Sequence, residues 1–163
     1  MQNIVLIGMP GSGKSTVGKR LAQALAMKFV DTDDIIIDEQ NAPLQQIIAE
    51  KGVYAFMEIE NDVICRFSAE NTVIATGGSV VLYPEAMEHL AKNGKFVYLE
   101  TTLPQLQKRI KNLTTRGIVF KEGQDLAAIY KERVPLYEKY ADLTVNVEKK
   151  KLNECVHTIV NEL

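Results

Sequence analysis

The sequence predicts an α/β fold of three layers, α/β/α, with a central five-stranded parallel sheet. Two observations carry that expectation. Short apolar runs rich in β-branched residues alternate with segments whose apolar residues recur at helical spacing, the pattern of a parallel sheet covered on both faces. The loop after the first such run is rich in glycine and opens directly into a helix-period segment. At 163 residues the chain is expected to be one domain, 1–163, burying roughly two-thirds of its unfolded surface.

The elements follow in order. Ile4-Val5-Leu6-Ile7 is a buried strand, and Val17 to Met27 a helix with Val17, Leu21, Ala24 and Leu25 on one face. Phe29-Val30-Asp31 is a second strand, and a helix begins near Ile35 with a side-chain oxygen at its cap. Pro43 suits the first turn of the next helix, whose apolar face is Leu44, Ile47 and Ile48. Phe56, Ile59, Val63 and Phe67 mark an amphipathic helix over 53–68. Thr72 to Thr76 is the third strand, Pro84 to Lys92 a helix stopped by Asn93-Gly94, and Phe96 to Leu99 the fourth strand. Leu103 to Lys111 is helical. Residues 112–124 carry Arg116, Gly117 and Gly123 without periodicity and read as a mobile lid. Leu126 to Tyr140 is helical, bent or restarted at Pro135. Leu143 to Val147 is the fifth strand and Leu152 to Leu163 the closing helix.

The chemistry begins in the loop. Gly8-Met9-Pro10-Gly11-Ser12-Gly13-Lys14-Ser15-Thr16 fits the P-loop pattern G-x-x-x-x-G-K-[ST] in its proper setting between strand and helix. Gly11, Ser12 and Gly13 let backbone N–H groups turn toward phosphate oxygens, and the positive helix end favours the anion. Lys14 would reach the β- and γ-phosphates, with Ser15 on Mg²⁺ and Thr16 completing the cradle, so a nucleoside triphosphate is the expected ligand.

In a parallel sheet the loops after the strands share one rim. Asp31 to Asp34 and Gly77 to Ser79 therefore join the P-loop around one pocket. Asp31 is expected to hold Mg²⁺ and Asp33 to contact the substrate hydroxyl, with Asp34 a capping residue. Gly77 and Gly78 allow close backbone approach to a ligand. Arg116, between Thr-Thr and Gly, suits charge neutralisation on a phosphoryl group in flight. Arg109 and Arg133 lie in the same half of the chain. His89 and His157 read as surface residues without partners, and Cys65 and Cys155 as packing residues.

Bulk composition excludes other classes. Net charge is −2, with no basic footprint for nucleic acid. No basic-then-apolar leader and no run long enough to span a bilayer are present, and the two cysteines form no CxxC pair. A cytoplasmic protein, monomeric because nothing demands a partner, is the expectation.

Taken together, the P-loop, Phe-Val-Asp-Thr-Asp, Thr-Gly-Gly, the Arg-bearing lid and Arg-Val-Pro-Leu-Tyr-Glu-Lys-Tyr-Ala-Asp resemble the shikimate kinase family in order and spacing across nearly the whole chain. The resemblance implies a nucleoside-monophosphate-kinase-like fold, ATP and Mg²⁺. It also implies γ-phosphoryl transfer to a hydroxyl of a small hydroxylated carboxylic acid, most directly shikimate. By the same resemblance Asp33 polarises the acceptor hydroxyl within an acceptor region spanning about 33–60. Asp31 is Mg-linked, Gly78 is a backbone donor, Arg133 binds the substrate carboxylate, Arg116 reaches ATP and Arg109 lies beside adenine.

Three positions depart from the family pattern. Met57 follows Phe56 where the family has arginine, Ser79 replaces the third glycine, and Gly117 replaces a proline. The missing arginine leaves two readings of the acceptor. In one, shikimate is held by Arg133 helped by another cation such as Arg66. In the other, the acceptor is a different small alcohol, such as homoserine, whose ammonium pairs with Glu58. A nucleotide-dependent regulatory module is disfavoured by the intact Lys14, Ser15, Asp33, Arg116 and Arg133.

Overall fold

A computed structural model of the chain describes residues 2–110 and 118–163. The strands β1 (Asn3–Ile7), β2 (Lys28–Asp31), β3 (Thr72–Ala75), β4 (Gly94–Glu100) and β5 (Leu143–Asn146) form one sheet in the order β2-β3-β1-β4-β5. Every pairing is parallel. The helices are α1 (Lys14–Leu25), α2 (Thr32–Gln40), α3 (Leu44–Lys51), α4 (Val53–Arg66), α5 (Pro84–Ala91), α6 (Leu103–Arg109), α7 (Leu126–Tyr140) and α8 (Leu152–Glu162).

The strand period of two sorts side chains between the layers. Ile4 and Leu6 of β1, with Val97 and Leu99 of β4, face α1 and α8, meeting Val17, Leu21, Val156 and Ile159. Val5 and Ile7, with Phe96 and Tyr98, face the opposite layer and meet Ile64, Met87, Leu106, Ile129 and Tyr137. A third cluster, Ile36, Ile47, Phe56, Val63 and Val119, lies among α2, α3, α4 and the segment before α7. Burying an apolar side chain of this kind stabilises by about 1.5–3 kcal/mol. Both faces of the central strands are therefore used, which is why β1 reads as continuous apolar sequence without alternation. Among the described residues no helix is long and apolar enough to cross a membrane.

Several local expectations are corrected. The buried face of α1 runs through Lys14, Val17, Gly18, Leu21 and Ala22, while Ala24 is exposed. α2 begins at Thr32 instead of near Ile35, because the Asp31 side chain accepts the Asp33 N–H and caps the helix there. Asp33 thus lies in a helical first turn. Pro43 is the N-cap of α3 and precedes its first turn. α5 ends at Ala91, and Gly94 is not its stop but the buried first residue of β4. α7 spans Leu126–Tyr140 as the sequence predicts, and Pro135 does not break it into two helices.

The end of the sheet remote from the strand C-termini is latched by Asn3. Its Nδ2 donates to Ala69 O at 2.8 Å, and its Oδ1 accepts the Thr72 N–H at 3.0 Å, tying the start of β1 to the start of β3. Asn3→Ala removes both bonds and leaves a buried backbone donor unpaired, a loss of about 1–3 kcal/mol. The urea midpoint should fall accordingly with an unchanged slope. An unchanged midpoint would show that the latch contributes nothing.

Candidate active site

Because all five strands run the same way, their C-terminal ends share one rim. A cavity of about 330 Å³ opens there, lined by the P-loop from Pro10 to Thr16, by Asp31 and Asp33, and by Thr76 to Ser79. Phe56, Glu60, Ile118, Val119 and Arg133 close it from the other side.

The P-loop end of the cavity is built from backbone. Gly13 caps α1 at φ +94°, a left-handed conformation that glycine adopts without penalty. Lys14 is buried and folds back over its own loop, donating to Gly8 O at 2.7 Å and Met9 O at 2.9 Å. Burial lowers its pKa to about 8, opposed by the charges of Asp33 and Asp31. The Ser15 hydroxyl donates to Asp31 Oδ2 at 2.5 Å, which brings two hard oxygen ligands side by side. Asp31 Oδ1 meanwhile accepts the Asp33 N–H at 2.9 Å. Among the described residues no group of three or more His, Cys, Asp or Glu side chains is arranged to hold a metal by itself. A two-oxygen site suits an ion that keeps most of its shell as water and phosphate. Arg109, exposed at the end of α6, donates to Gly11 O at 2.9 Å and braces the loop from outside.

The opposite end is built from glycine, carboxylate and arginine. Gly77 and Gly78 have no positive φ; what they require is space. A Cβ on Gly78 would stand 2.6 Å from Pro10 Cδ, and one on Gly77 would stand 2.7 Å from Glu60 Oε2 and 3.0 Å from Asp33 Oδ1. The turn is held by the Thr32 hydroxyl, which accepts the Gly77 N–H at 3.2 Å, and by Tyr137 OH, which donates to Gly78 O at 2.6 Å. Tyr137 is itself fixed by stacking on Tyr98, ring centroids 5.2 Å apart. Arg133, one helical turn before Tyr137 on α7, is 1% exposed. Its Nη2 donates to Val119 O at 2.5 Å, while Nε and Nη1 have no hydrogen-bond partner among the described residues.

A family model described as shikimate kinase matches residues 10–163. The chain belongs to the shikimate kinase family. It is 37% identical over 99% of its length to the shikimate kinase of Francisella tularensis subsp. novicida, covering 92% of that protein. To the shikimate kinase of Persephonella marina it is 34% identical over its whole length and 99% of that protein. Among solved structures, it superposes on the Acinetobacter baumannii shikimate kinase in complex with shikimate with a TM-score of 0.89 at 30% identity. That match covers 100% of this chain and 96% of the other. The Aquifex aeolicus shikimate kinase follows with a TM-score of 0.85 at 31% identity, covering 98% and 94%. The chain is thus a small-molecule kinase on a shikimate kinase fold.

Within this family member the structure brings Gly11, Gly13, Lys14, Ser15, Thr16, Asp31, Asp33, Gly77, Gly78 and Arg133 to one cavity. Buried Ser12 lies in the loop beneath them. Arg116 and the start of the lid lie outside the described residues. The rest of the 112–124 segment is not a plain surface loop, because Ile118 and Val119 are buried and line the cavity. Arg66 does not help Arg133: it is exposed and paired with Glu39 at 3.1 Å and Asp62 at 2.8 Å. Glu58 is exposed and lines no part of the cavity, so an ammonium group there would lie outside it. Met57 is half-buried and packs against two of the apolar clusters. His89 is half-buried, with a ring nitrogen 2.5 Å from Phe67 O, and His157 meets Asn161 at 2.9 Å, so both have partners.

Glu60 is the residue that sequence reasoning missed. It is 2% exposed and points into the cavity. Its spacing from Phe56 and Val63 puts it on their buried helical face, a signal present in the sequence but masked by Ile59 beside it. Burial raises its pKa, against hydrogen bonds from Ser79 and Tyr83 and the charge of Arg133.

Asp33 feels that neighbour. Burial first, then the charges of Glu60 and Asp31, raise its pKa from 3.8 to about 7, against the pull of Lys14. The fold therefore favours the protonated form. The associated stability is present below the unfolded value near 3.8 and is lost as pH rises through about 7. A carbon-13 titration of the free protein should place the Asp33 midpoint near pH 7, and Glu60→Gln should move it down. A midpoint near 4 in the parent protein would contradict the desolvated, acid-rich pocket.

Proposed function

We propose that the protein transfers the γ-phosphoryl group of ATP to a hydroxyl of shikimate, giving shikimate 3-phosphate and ADP, the step that serves aromatic amino acid biosynthesis. The observation that carries this reading is a single cavity with the P-loop at one end and Asp33, Gly78 and Arg133 at the other. Donor and acceptor are held by one rigid rim, and phosphoryl transfer needs little beyond positioning and charge stabilisation.

Each residue has a role that follows from its placement. The N–H groups of Gly11 to Thr16 surround the triphosphate. Lys14 leaves the loop carbonyls for the phosphate oxygens, whose negative charge restores the pKa that burial lowers. Ser15 and Asp31 fit Mg²⁺, which would neutralise phosphate charge. Arg133 offers two unengaged nitrogens, Nε and Nη1, to the acceptor carboxylate, a charge-assisted contact. Gly78 supplies backbone to the acceptor, and Asp33 accepts the proton of the attacking hydroxyl. As the new O–P bond forms, the bond to the bridging β,γ oxygen breaks. A carboxylate with a pKa near 7 is well matched to that transfer at neutral pH. Residues 33–60 form the acceptor side in this reading, the chain acts as one kinase domain, and nothing in the cavity calls for a second copy.

A coupled assay should show ADP release when ATP and shikimate are both present. Asp33→Asn is expected to lower kcat by at least about 100-fold while leaving the ATP dissociation constant nearly unchanged. Near-normal turnover in that variant would remove Asp33 from the chemistry.

Among the described residues lining the cavity, the cations are Lys14 and Arg133, so one arginine carries the acceptor carboxylate. Met57→Arg, which adds a cation beside Phe56, should lower KM for shikimate by roughly tenfold. An unchanged or higher KM in a folded variant would contradict the single-cation clamp.

A further inference from the structure

Glu60 is fastened in an unusual way for a carboxylate at a binding cavity. Both Ser79 Oγ and Tyr83 OH donate to its Oε1, the latter at 2.6 Å. All three residues are buried, and they come from α4, the glycine turn and the 3₁₀ segment Val80–Leu82 with its cap. Two donors on one oxygen fix both the position and the plane of the carboxylate. The other oxygen, Oε2, then faces the place beside Gly77 that Asp33 Oδ1 approaches from α2. Ser79 occupies the position where the family resemblance expects a third glycine, so one of the two fastening hydroxyls exists because of that departure.

From this geometry we infer that Ser79 and Tyr83 are positioning residues that set acceptor selectivity through Glu60. Held by them, Oε2 accepts a hydrogen bond from an acceptor hydroxyl other than the one that reacts, and so aims the reacting hydroxyl at Asp33. A polyhydroxylated acid satisfies Glu60, Asp33 and Arg133 together. An acceptor with one hydroxyl leaves a buried carboxylate oxygen unpaired, which is penalised far more than a missing surface contact. The inference rests on the shikimate reading above and specifies how that acceptor is chosen.

The test is steady-state kinetics on the full chain with ATP and shikimate, for Tyr83→Phe, Ser79→Ala and the pair, each alone and with Glu60→Gln. With Glu60 intact, the paired change should raise KM for shikimate by about tenfold and leave KM for ATP within about twofold. With Glu60→Gln in place, the same pair should add little, because its effect runs through the carboxylate. A shikimate analogue lacking one non-reacting hydroxyl should discriminate parent from paired variant less than shikimate does. An unchanged KM for shikimate in folded variants overturns the inference. Equal rises in both KM values, or full additivity with Glu60→Gln, would reduce the trio to packing and overturn it too. If the paired variant does not fold, Tyr83→Phe alone carries the test, since it removes one oxygen and keeps the ring. A parent protein that releases no ADP with shikimate overturns the proposed function, and this inference with it. Normal parent turnover with unmoved variants overturns the inference alone.

Discussion

The site depends on two residues that have no side chains. Gly77 and Gly78 let the end of β3 pass between Pro10 of the phosphate loop and the carboxylates of Glu60 and Asp33, at distances that a Cβ on either would violate. Around that narrow turn meet the two halves of the cavity to which the proposed function assigns donor and acceptor. The hydroxyl of Thr32 and that of Tyr137 hold the turn from opposite sides, so its backbone is fixed before any ligand arrives. Such preorganisation is what phosphoryl transfer asks of a protein, since the reaction gains most from placing its partners.

The same crowding sets the electrostatics. Asp31, Asp33 and Glu60 share the cavity with Lys14 and Arg133, all at least partly shielded from water. Desolvation is the first cause of the raised Asp33 and lowered Lys14 pKa values, and it moves both toward neutrality from opposite directions. A carboxyl group so adjusted can take up a proton near pH 7, which a surface aspartate would not do. Among the described residues Arg133 pairs with no carboxylate, and its Nη2 donates to the backbone oxygen of Val119. A buried guanidinium in that condition is costly without an anion, which makes an incoming carboxylate the natural completion of the site.

Much of this was legible in the sequence because it is written in local patterns. The P-loop and the Asp31–Asp33 and Gly77–Gly78 segments each sit at the end of one of the five parallel strands, where chain order alone brings them together. What could not be read depends on side chains that cross between elements. Glu60 follows Ile59 in the chain, yet it is Glu60 that the inward-packing face of α4 includes. Arg66 looked available, but Glu39 of α2 and Asp62 of its own helix engage it at the surface. Glu58 seemed close to the vacancy at Met57, but one residue along a helix is a rotation of about 100°, and it faces solvent. The fastening of Glu60 by Ser79 and Tyr83 joins residues 19 and 23 positions away, beyond the reach of any local pattern.

The central claim is that one buried arginine, in a pocket otherwise rich in acid, anchors the acceptor carboxylate. Calorimetric titration of shikimate and of its carboxamide, against the parent protein and Arg133→Met, tests it most directly. The parent should bind the carboxylate about 10- to 150-fold more tightly than the amide, and the variant should distinguish the two hardly at all. An equal preference for the carboxylate in both proteins would place the anchor elsewhere and contradict the claim.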